Sequence, residues 1–221
     1  MAVLIHPIDL GKTYVDYQHA WDLQREIHAG VVAHDLADQV LILEHASVYT
    51  AGRRTEIADR PIDGTPVVDV DRGGKITWHG PGQLVGYPIV HLPSPMDVVS
   101  HVRRLEDVLI EVCSDFGLTT TRIKGRSGVW VADEKGERKL AAIGVRVAQG
   151  VTMHGFALNC SNELTDFGKI VPCGITDAGV STLSVELGKL ITPTDVLDSV
   201  TEHLHRVFDG ITAQSASPVT A

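Results

Sequence analysis

The sequence predicts an α+β domain in which a mixed β-sheet packs against helices. Short apolar segments bounded by turn residues recur along most of the 221 residues, as expected for strands. Other segments carry apolar residues at intervals of three or four, as amphipathic helices do. Because these strands and helices follow no regular order along the chain, we expect a mixed sheet with about three helices.

The first half of the chain is predicted to be mainly strands. Residues 2–8 form a strand, and the apolar positions from Tyr14 to Val31 recur at mostly helical spacing. The run QVLILE at 39–44 is a short buried strand. A loop over 45–54 leads to a turn at 61–64. The next strands are expected over 67–71 and 75–78, as a hairpin around Gly73-Gly74, and over 83–92.

The second half opens with the strongest helical pattern of the sequence. Its apolar positions run from Val98 to Phe116 and end at Gly117, with Cys113 in a packing position beside the stripe. Strands are predicted over 128–132, 139–147 and 151–159, and a last helix opens at Thr192-Pro193. We expect one domain over residues 1–212 and a disordered tail over 213–221.

Composition excludes several classes of protein. With 19 basic and 28 acidic residues the net charge is -9, which argues against a general nucleic-acid or anionic-membrane binder. The three cysteines form no CxxC pair and leave one over, which fits a reducing compartment without a disulfide framework. The N-terminus lacks the pattern of a signal peptide, and no apolar run approaches a membrane span. We therefore expect a soluble, cytoplasmic protein.

The glycine-rich stretch RGGKITWHGPGQ at 72–83 is the densest candidate site. Four glycines and a proline among twelve residues leave backbone amides free to approach a ligand, with Arg72 and His79 nearby. The alternative is a glycine-rich hairpin in which His79 is incidental. The stretch is not a phosphate loop, since GxxxxGK[ST] and GxGxxG are both absent.

Two strands carry further candidates. On strict alternation Lys139 shares a face with Ala141 and Ile143, so its side chain either snorkels to solvent at the strand end or is partly desolvated. The small residues 141, 142 and 144 would suit a narrow pocket. In HGFALN at 154–159, Gly155 indicates close approach of a ligand or another backbone. The alternative there is a bulge with His154 as a satisfied core histidine.

Cys173 lies in the turn Pro172-Cys173-Gly174, away from any apolar stripe. Turns expose reactive groups, which favours a nucleophile, whereas a buried structural cysteine is the general alternative. The cysteines are too scattered to suggest a zinc site, and we expect no metal.

Taken together, these segments resemble the octanoyltransferase family of lipoate biosynthesis, the octanoyl-acyl carrier protein:protein N-octanoyltransferases. The matching segments are HASVYTAGRR (45–54), RGGKITWHGPGQLVGYP (72–88), GRSGVWV (125–131), KLAAIGVRV (139–147), TMHGFALN (152–159) and DFGKIVPCGI (166–175). Trp78 departs from the pattern, since the family more often carries Tyr there. The resemblance implies the catalytic-domain fold of the biotin and lipoate protein ligases.

The resemblance also implies the site residues. The acyl-thioester cysteine of the family falls on Cys173 and its activating lysine on Lys139, as a Cys/Lys dyad. The substrate-binding segments fall on Arg72, Gly73, Gly74, Lys75, Ile76, Thr77, Trp78, His79, Ala142, Ile143, Gly144, Gly155, Phe156 and Ala157.

The implied reaction moves octanoyl from octanoyl-acyl carrier protein to a lysine of a lipoyl domain, without a cofactor. The implied acceptors are 2-oxoacid dehydrogenase E2 subunits and the glycine-cleavage H protein. Because both partner proteins are typically acidic, Arg53, Arg54, Arg72 and Lys75 are candidate docking charges. Three alternatives remain: an ATP-dependent lipoate or biotin ligase, a transferase acting between carrier proteins, and a non-catalytic acyl-binding protein with an inert Cys173.

Overall fold

The computed structural model describes residues 2–170 and 178–215, with side chains described up to residue 209, so Cys173 lies outside the described residues. The helices are α1 (Tyr17–Val32), α2 (Val98–Asp115), α3 (Leu183–Leu187) and α4 (Leu197–Ser215). The strands are β1 (Leu4–Pro7), β2 (Gln39–Leu43), β3 (Val48–Ala51), β4 (Val67–Asp69), β5 (Thr77–His79), β6 (Gln83–Ile89), β7 (Thr121–Ile123), β8 (Arg126–Asp133), β9 (Gly136–Ala148), β10 (Val151–Asn159) and β11 (Gly179–Val180). Short 3-10 helices occupy Ile57–Asp59 and Thr165–Lys169.

Within the described residues, the main sheet has eight strands in the order β1-β2-β6-β10-β9-β8-β7, with β11 added beside β9. The pairs β1–β2 and β9–β11 are parallel and the others antiparallel, so the predicted mixed sheet is confirmed. Buried apolar side chains of α2 and α4 pack on one face of this sheet, and those of α1 pack on the other. The hydrophobic core therefore lies on both faces of the main sheet, as expected for an α+β domain.

A second, three-stranded sheet has the order β4-β3-β5. The predicted hairpin of 67–71 with 75–78 is therefore wrong, because β3 lies between the two strands, parallel to β4 and antiparallel to β5. The expected loop over 45–54 contains that central strand. The side chain of Arg72 holds the connection between β4 and β5 around the end of β3, since its Nη2 donates to the backbone oxygen of Thr50 at 2.7 Å.

The other elements follow the sequence closely where the periodicity is strong. Strand β10 and helix α2 match their predicted positions, and Gly117 after α2 has a φ of +84°. The last helix begins at Leu197, and the start predicted at Thr192 falls in the turn before it. In that turn Thr192 and Asp195 bond to each other's backbone in the manner of a capping box. That helix continues to Ser215, past the residue 212 boundary predicted for the domain.

Candidate active site

A cleft lies between the three-stranded sheet and strands β9 and β10 of the main sheet, with about 590 Å³ of empty space when the open solvent at its mouth is included. It is lined by Tyr17, Arg54, Arg72, Gly74, Lys75, Thr77, His79, Tyr87, Ser127, Ala142, Ile143, Gly144, His154, Gly155, Phe156 and Ala157.

Two glycines of the main sheet, Gly144 and Gly155, allow neighbouring groups to lie close to the backbone at the cleft. A Cβ added to Gly155 would lie 2.2 Å from the backbone oxygen of Gly86, so no side chain fits there. A Cβ added to Gly144 would lie 3.0 Å from Cδ of Arg72, next to the Gly73 amide that donates to Val145 at 3.0 Å. The predicted meaning of Gly155 as a close-approach position is confirmed, and the approaching group is backbone.

Lys139 lies in the wall of a smaller cavity that adjoins the cleft. The two cavities share Thr77 and Ala142, and the second is further lined by Gln83, Asn159, Phe167 and Val180. The side chain of Lys139 is buried, and its Nζ lies 4.7 Å from the centroid of the Trp130 ring. It therefore does not snorkel to solvent.

A β-bulge brings Lys139 to this face of the sheet. Val129 pairs with Ala141 while the next residue, Trp130, pairs with Lys139, so Leu140 is an extra residue in β9. The alternation predicted for this strand is therefore wrong at its start. Lys139 shares a cavity with Ala142, whereas Ala141 packs in the hydrophobic core.

Arg72 organises the glycine-rich segment from a buried position. Its Nη1 donates to the backbone oxygens of Gly73 and Lys75 at 3.0 and 2.9 Å, and its Nη2 donates to Thr50. Lys75 forms ion pairs with Glu56 and Asp59, both at 3.1 Å, and these hydrogen bonds raise its pKa.

The two histidines of the cleft, His79 and His154, have different hydrogen-bond partners. His79 Nδ1 lies 2.8 Å from Gln83 Oε1, and burial lowers the pKa of His79 to about 3. His154 has a φ of +56° and hydrogen-bonds Asp71 through Nε2 at 2.7 Å. Burial lowers the pKa of His154, although the carboxylate of Asp71 opposes this effect. The same bond, first among several causes, lowers the pKa of Asp71, which also pairs with Arg146.

Comparison with known proteins assigns the chain to a family. Residues 16–205 match the lipoyl protein ligase A/B catalytic domain. An octanoyltransferase of Salinispora tropica is 64% identical over 195 residues, covering 87% of this chain and 92% of the relative. One of Clavibacter sepedonicus is 58% identical over 214 residues, covering 95% and 92%. The chain belongs to the octanoyltransferase family.

Solved structures of low sequence identity share the fold. The lipoate complex of LipL1 from P. falciparum has a TM-score of 0.67 at 14% identity, and the match covers 99% of this chain and 64% of that one. A biotin protein ligase of Aquifex aeolicus has a TM-score of 0.52 at 12% identity, over 97% and 71% of the two chains. The predicted fold of the biotin and lipoate protein ligases is confirmed. As a family member, the protein is a transferase.

Most of the predicted substrate-binding residues of this octanoyltransferase family member meet in the cleft. Ile76 and Trp78 are exceptions, since they pack in a separate apolar cluster with Tyr49, Phe167 and Ile170. Gly73 is not part of the cleft lining, although its backbone joins the two sheets. Of the candidate docking charges, Arg72 is buried and Lys75 is ion-paired, whereas Arg53 and Arg54 are exposed.

Sequence reasoning missed several cleft residues that come from distant elements. Tyr17 of α1 stacks on His79 with ring centroids 6.1 Å apart, and Tyr87 of β6 hydrogen-bonds His45 at 2.7 Å. The sequence places Tyr17 on the helical stripe from Tyr14 to Val31 and Tyr87 in the strand predicted over 83–92, whereas Ser127 directly precedes the strand predicted over 128–132. No local pattern distinguishes them, because their role depends on which strands become neighbours.

Within the described ranges, no group of three or more histidine, cysteine or acidic side chains could hold a metal ion. In the same part of the chain, no helix is long and apolar enough to cross a membrane. Cys113 and Cys160 are free thiols buried in the core, where burial raises the pKa of both, that of Cys113 to about 12. The packing position predicted for Cys113 is confirmed.

Proposed function

We propose that this protein transfers an octanoyl group from octanoyl-acyl carrier protein to a specific lysine of lipoyl domains, through a thioester on Cys173. The acceptors are the lipoyl domains of 2-oxoacid dehydrogenase E2 subunits and the glycine-cleavage H protein. The observation that carries the proposal is the burial of Lys139 beside a cleft whose walls are formed by the small residues Ala142, Gly144, Gly155 and Ala157.

The backbone around Lys139 supports its pairing with Cys173. The chain leaves the described part at Ile170, which packs against the cluster containing Trp78 and Phe167. It returns at residue 178 and forms β11, in which Val180 pairs with Lys139. The Ser181 amide then donates to the Lys139 backbone oxygen at 3.0 Å. The described residues that flank the segment containing Cys173 thus include Phe167 and Val180, which line the smaller cavity together with Lys139.

The reaction has two acyl transfers. The Cys173 thiolate attacks the octanoyl carbonyl, the bond from that carbon to the carrier thiol breaks, and the carrier thiolate takes up a proton and leaves. The lysine amine of the lipoyl domain then attacks the Cys173 thioester, and the C–S bond breaks as the amide forms. In the first step the ammonium of Lys139 stabilises the Cys173 thiolate and then gives its proton to the departing carrier thiolate. In the second step the neutral amine of Lys139 accepts the proton of the attacking lysine, and Cys173 leaves as a thiolate.

The energetics of these steps require no nucleotide. Exchange of one thioester for another is nearly balanced, and conversion of a thioester into an amide is downhill. The apolar walls of the cleft, including Ile143 and Phe156, suit an eight-carbon chain, which carries no charge to be paired. Arg53 and Arg54 are exposed, and Arg54 also lines the cleft, where it can face an acidic carrier or lipoyl domain.

The test is intact-mass analysis of the protein after mixing with octanoyl-acyl carrier protein in the absence of ATP. We expect one octanoyl adduct, located on Cys173 by peptide mapping and discharged by an apo lipoyl domain. Cys173→Ser should form no thioester adduct, whereas Cys113→Ser, a buried core position, serves as the matched control. An ATP requirement would indicate a ligase instead, and transfer of the acyl group to a second carrier in place of a lipoyl domain would indicate a carrier-to-carrier transferase.

A further inference from the structure

His79 is a buried group in the cleft wall that the two acyl-transfer steps do not use. It ends strand β5, and its ring lies against Tyr17 at an interplanar angle of 9°. Its two ring nitrogens can each donate or accept a hydrogen bond, depending on the tautomer. The protonation of His79 therefore decides what it offers to a substrate.

The tautomer of His79 is fixed by a chain of side-chain hydrogen bonds that starts at a backbone carbonyl group. The carbonyl oxygen of Ser181 can only accept, and it receives a bond from Asn159 Nδ2 at 3.0 Å. This assigns Oδ1 of Asn159 as the acceptor for Gln83 Nε2, at 2.8 Å. Gln83 Nε2 also donates to the Trp78 backbone oxygen at 3.4 Å, which requires the same orientation of the Gln83 amide.

The amide oxygen of Gln83 then determines which ring nitrogen of His79 carries the hydrogen. Gln83 Oε1 can only accept, so His79 Nδ1, at 2.8 Å, must carry the hydrogen. Burial, with further contributions from His45 and Arg72, lowers the pKa of His79 to about 3, so the ring is neutral at physiological pH. A neutral ring protonated at Nδ1 has an unprotonated Nε2. No described residue forms a hydrogen bond with that Nε2, and His79 lines the cleft.

We infer that His79 presents Nε2 to the cleft as a permanent hydrogen-bond acceptor, and that this acceptor positions the amine N–H of the lysine that receives the acyl group. This inference rests on the proposed function. The octanoyl chain of the acyl-enzyme carries no N–H or O–H donor, and a lone pair would repel the oxyanion that forms from its thioester carbonyl. The incoming amine is a donor, and its attack requires that its own lone pair, and not its N–H, faces the thioester.

The first test is the tautomer itself in the wild-type protein. Long-range proton–nitrogen correlation NMR on histidine-labelled protein should show His79 as neutral, with the hydrogen on Nδ1, at neutral pH. His79→Gln identifies the resonance by its disappearance. A hydrogen on Nε2, or a charged ring, would overturn the inference whatever the variants do.

The second test uses two substitutions, each of which keeps the hydrogen-bonding group of one ring nitrogen and removes that of the other. In His79→Asn the amide nitrogen occupies the place of Nδ1 and keeps the bond to Gln83, but the acceptor in the cleft is lost. In His79→Gln the amide oxygen reaches the place of Nε2 and keeps the acceptor, while the bond to Gln83 is lost. A merely structural histidine predicts that Asn is the better replacement, whereas a substrate-positioning one predicts Gln.

The readout is the rate of each half-reaction, measured by intact mass. We expect His79→Asn to discharge the acyl-enzyme to the lipoyl domain about tenfold more slowly, as expected for one lost hydrogen bond, and His79→Gln to stay within about threefold of wild type. Acylation by the carrier protein should change by the same factor in both variants, because this step brings no amine to the cleft. Equal discharge rates, or a defect confined to acylation, would contradict the inference. Failure of the wild type to form any acyl-enzyme would instead overturn the proposed function.

Discussion

The ammonium group of Lys139 contacts the face of Trp130 and is almost completely buried, with 7% of the residue exposed. Among the described residues, no carboxylate forms an ion pair with it. A cation–π contact contributes about 0.5–2 kcal/mol, whereas burial of an ammonium ion costs several kcal/mol. The cation–π contact therefore does not by itself account for the burial of Lys139, which our proposal attributes to chemistry in the adjoining cavity.

Replacement of Lys139 by methionine tests this explanation, because methionine keeps the length and the apolar packing on Trp130. We expect Lys139→Met to reduce octanoyl transfer at least about 100-fold, as for the loss of an acid–base group, without lowering the free energy of unfolding. Lys135→Met, in the exposed turn between β8 and β9, is the matched control and should keep full activity. A Lys139→Met variant with normal transfer would remove this residue from the mechanism.

At the scale of elements, the sequence predicts those whose pattern is repeated over many residues. Helix α2 and strand β10 have long, regular patterns, whereas β3 has four residues between polar and glycine-rich neighbours. The bulge at Leu140 was not predictable, because the register of β9 depends on its pairing with β8. For the same reason the sequence could place Lys139 on a strand but not on the correct face.

Gly128 lies in β8 next to this bulge and can be tested by alanine substitution. Its φ is +109°, and an added Cβ would lie 2.3 Å from the Ala141 backbone oxygen. Gly125 is the matched control, since its φ is +82° and its Cβ would meet nothing within 4 Å. We expect Gly125→Ala to cost about 1–2 kcal/mol of unfolding free energy from backbone strain. Gly128→Ala should cost about 1–3 kcal/mol more, from the added clash, in urea denaturation. Equal costs would show that the bulge tolerates the extra methyl group.

At the scale of the whole molecule, four histidines are buried in a form that resists protonation. Burial lowers the pKa of His45 to about 4, of His79 to about 3 and of His101 to about 4, and it also lowers that of His154. Unfolded histidine titrates near pH 6.5, so the unfolded chain binds protons that the folded chain does not. A depressed pKa contributes stability that is present above about pH 6.5 and is lost as pH falls toward the folded value. The free energy of unfolding should therefore decrease steadily from about pH 7 to pH 4.

His101 allows this decrease to be tested away from the cleft. It lies on α2 against Phe208 of α4, with ring centroids 5.9 Å apart, and neither ring nitrogen has a hydrogen-bond partner within the described residues. We expect His101→Leu to remove one protonation step, so that the stability of the variant relative to wild type increases by about 2 kcal/mol between pH 7 and pH 5. His6→Gln, at an exposed position of β1, is the control for removal of a histidine outside the core. Urea denaturation at both pH values measures the difference.

Parallel stability curves for wild type and His101→Leu would mean that the buried ring does not stay neutral, because a folded-state pKa equal to the unfolded one gives no linkage to folding.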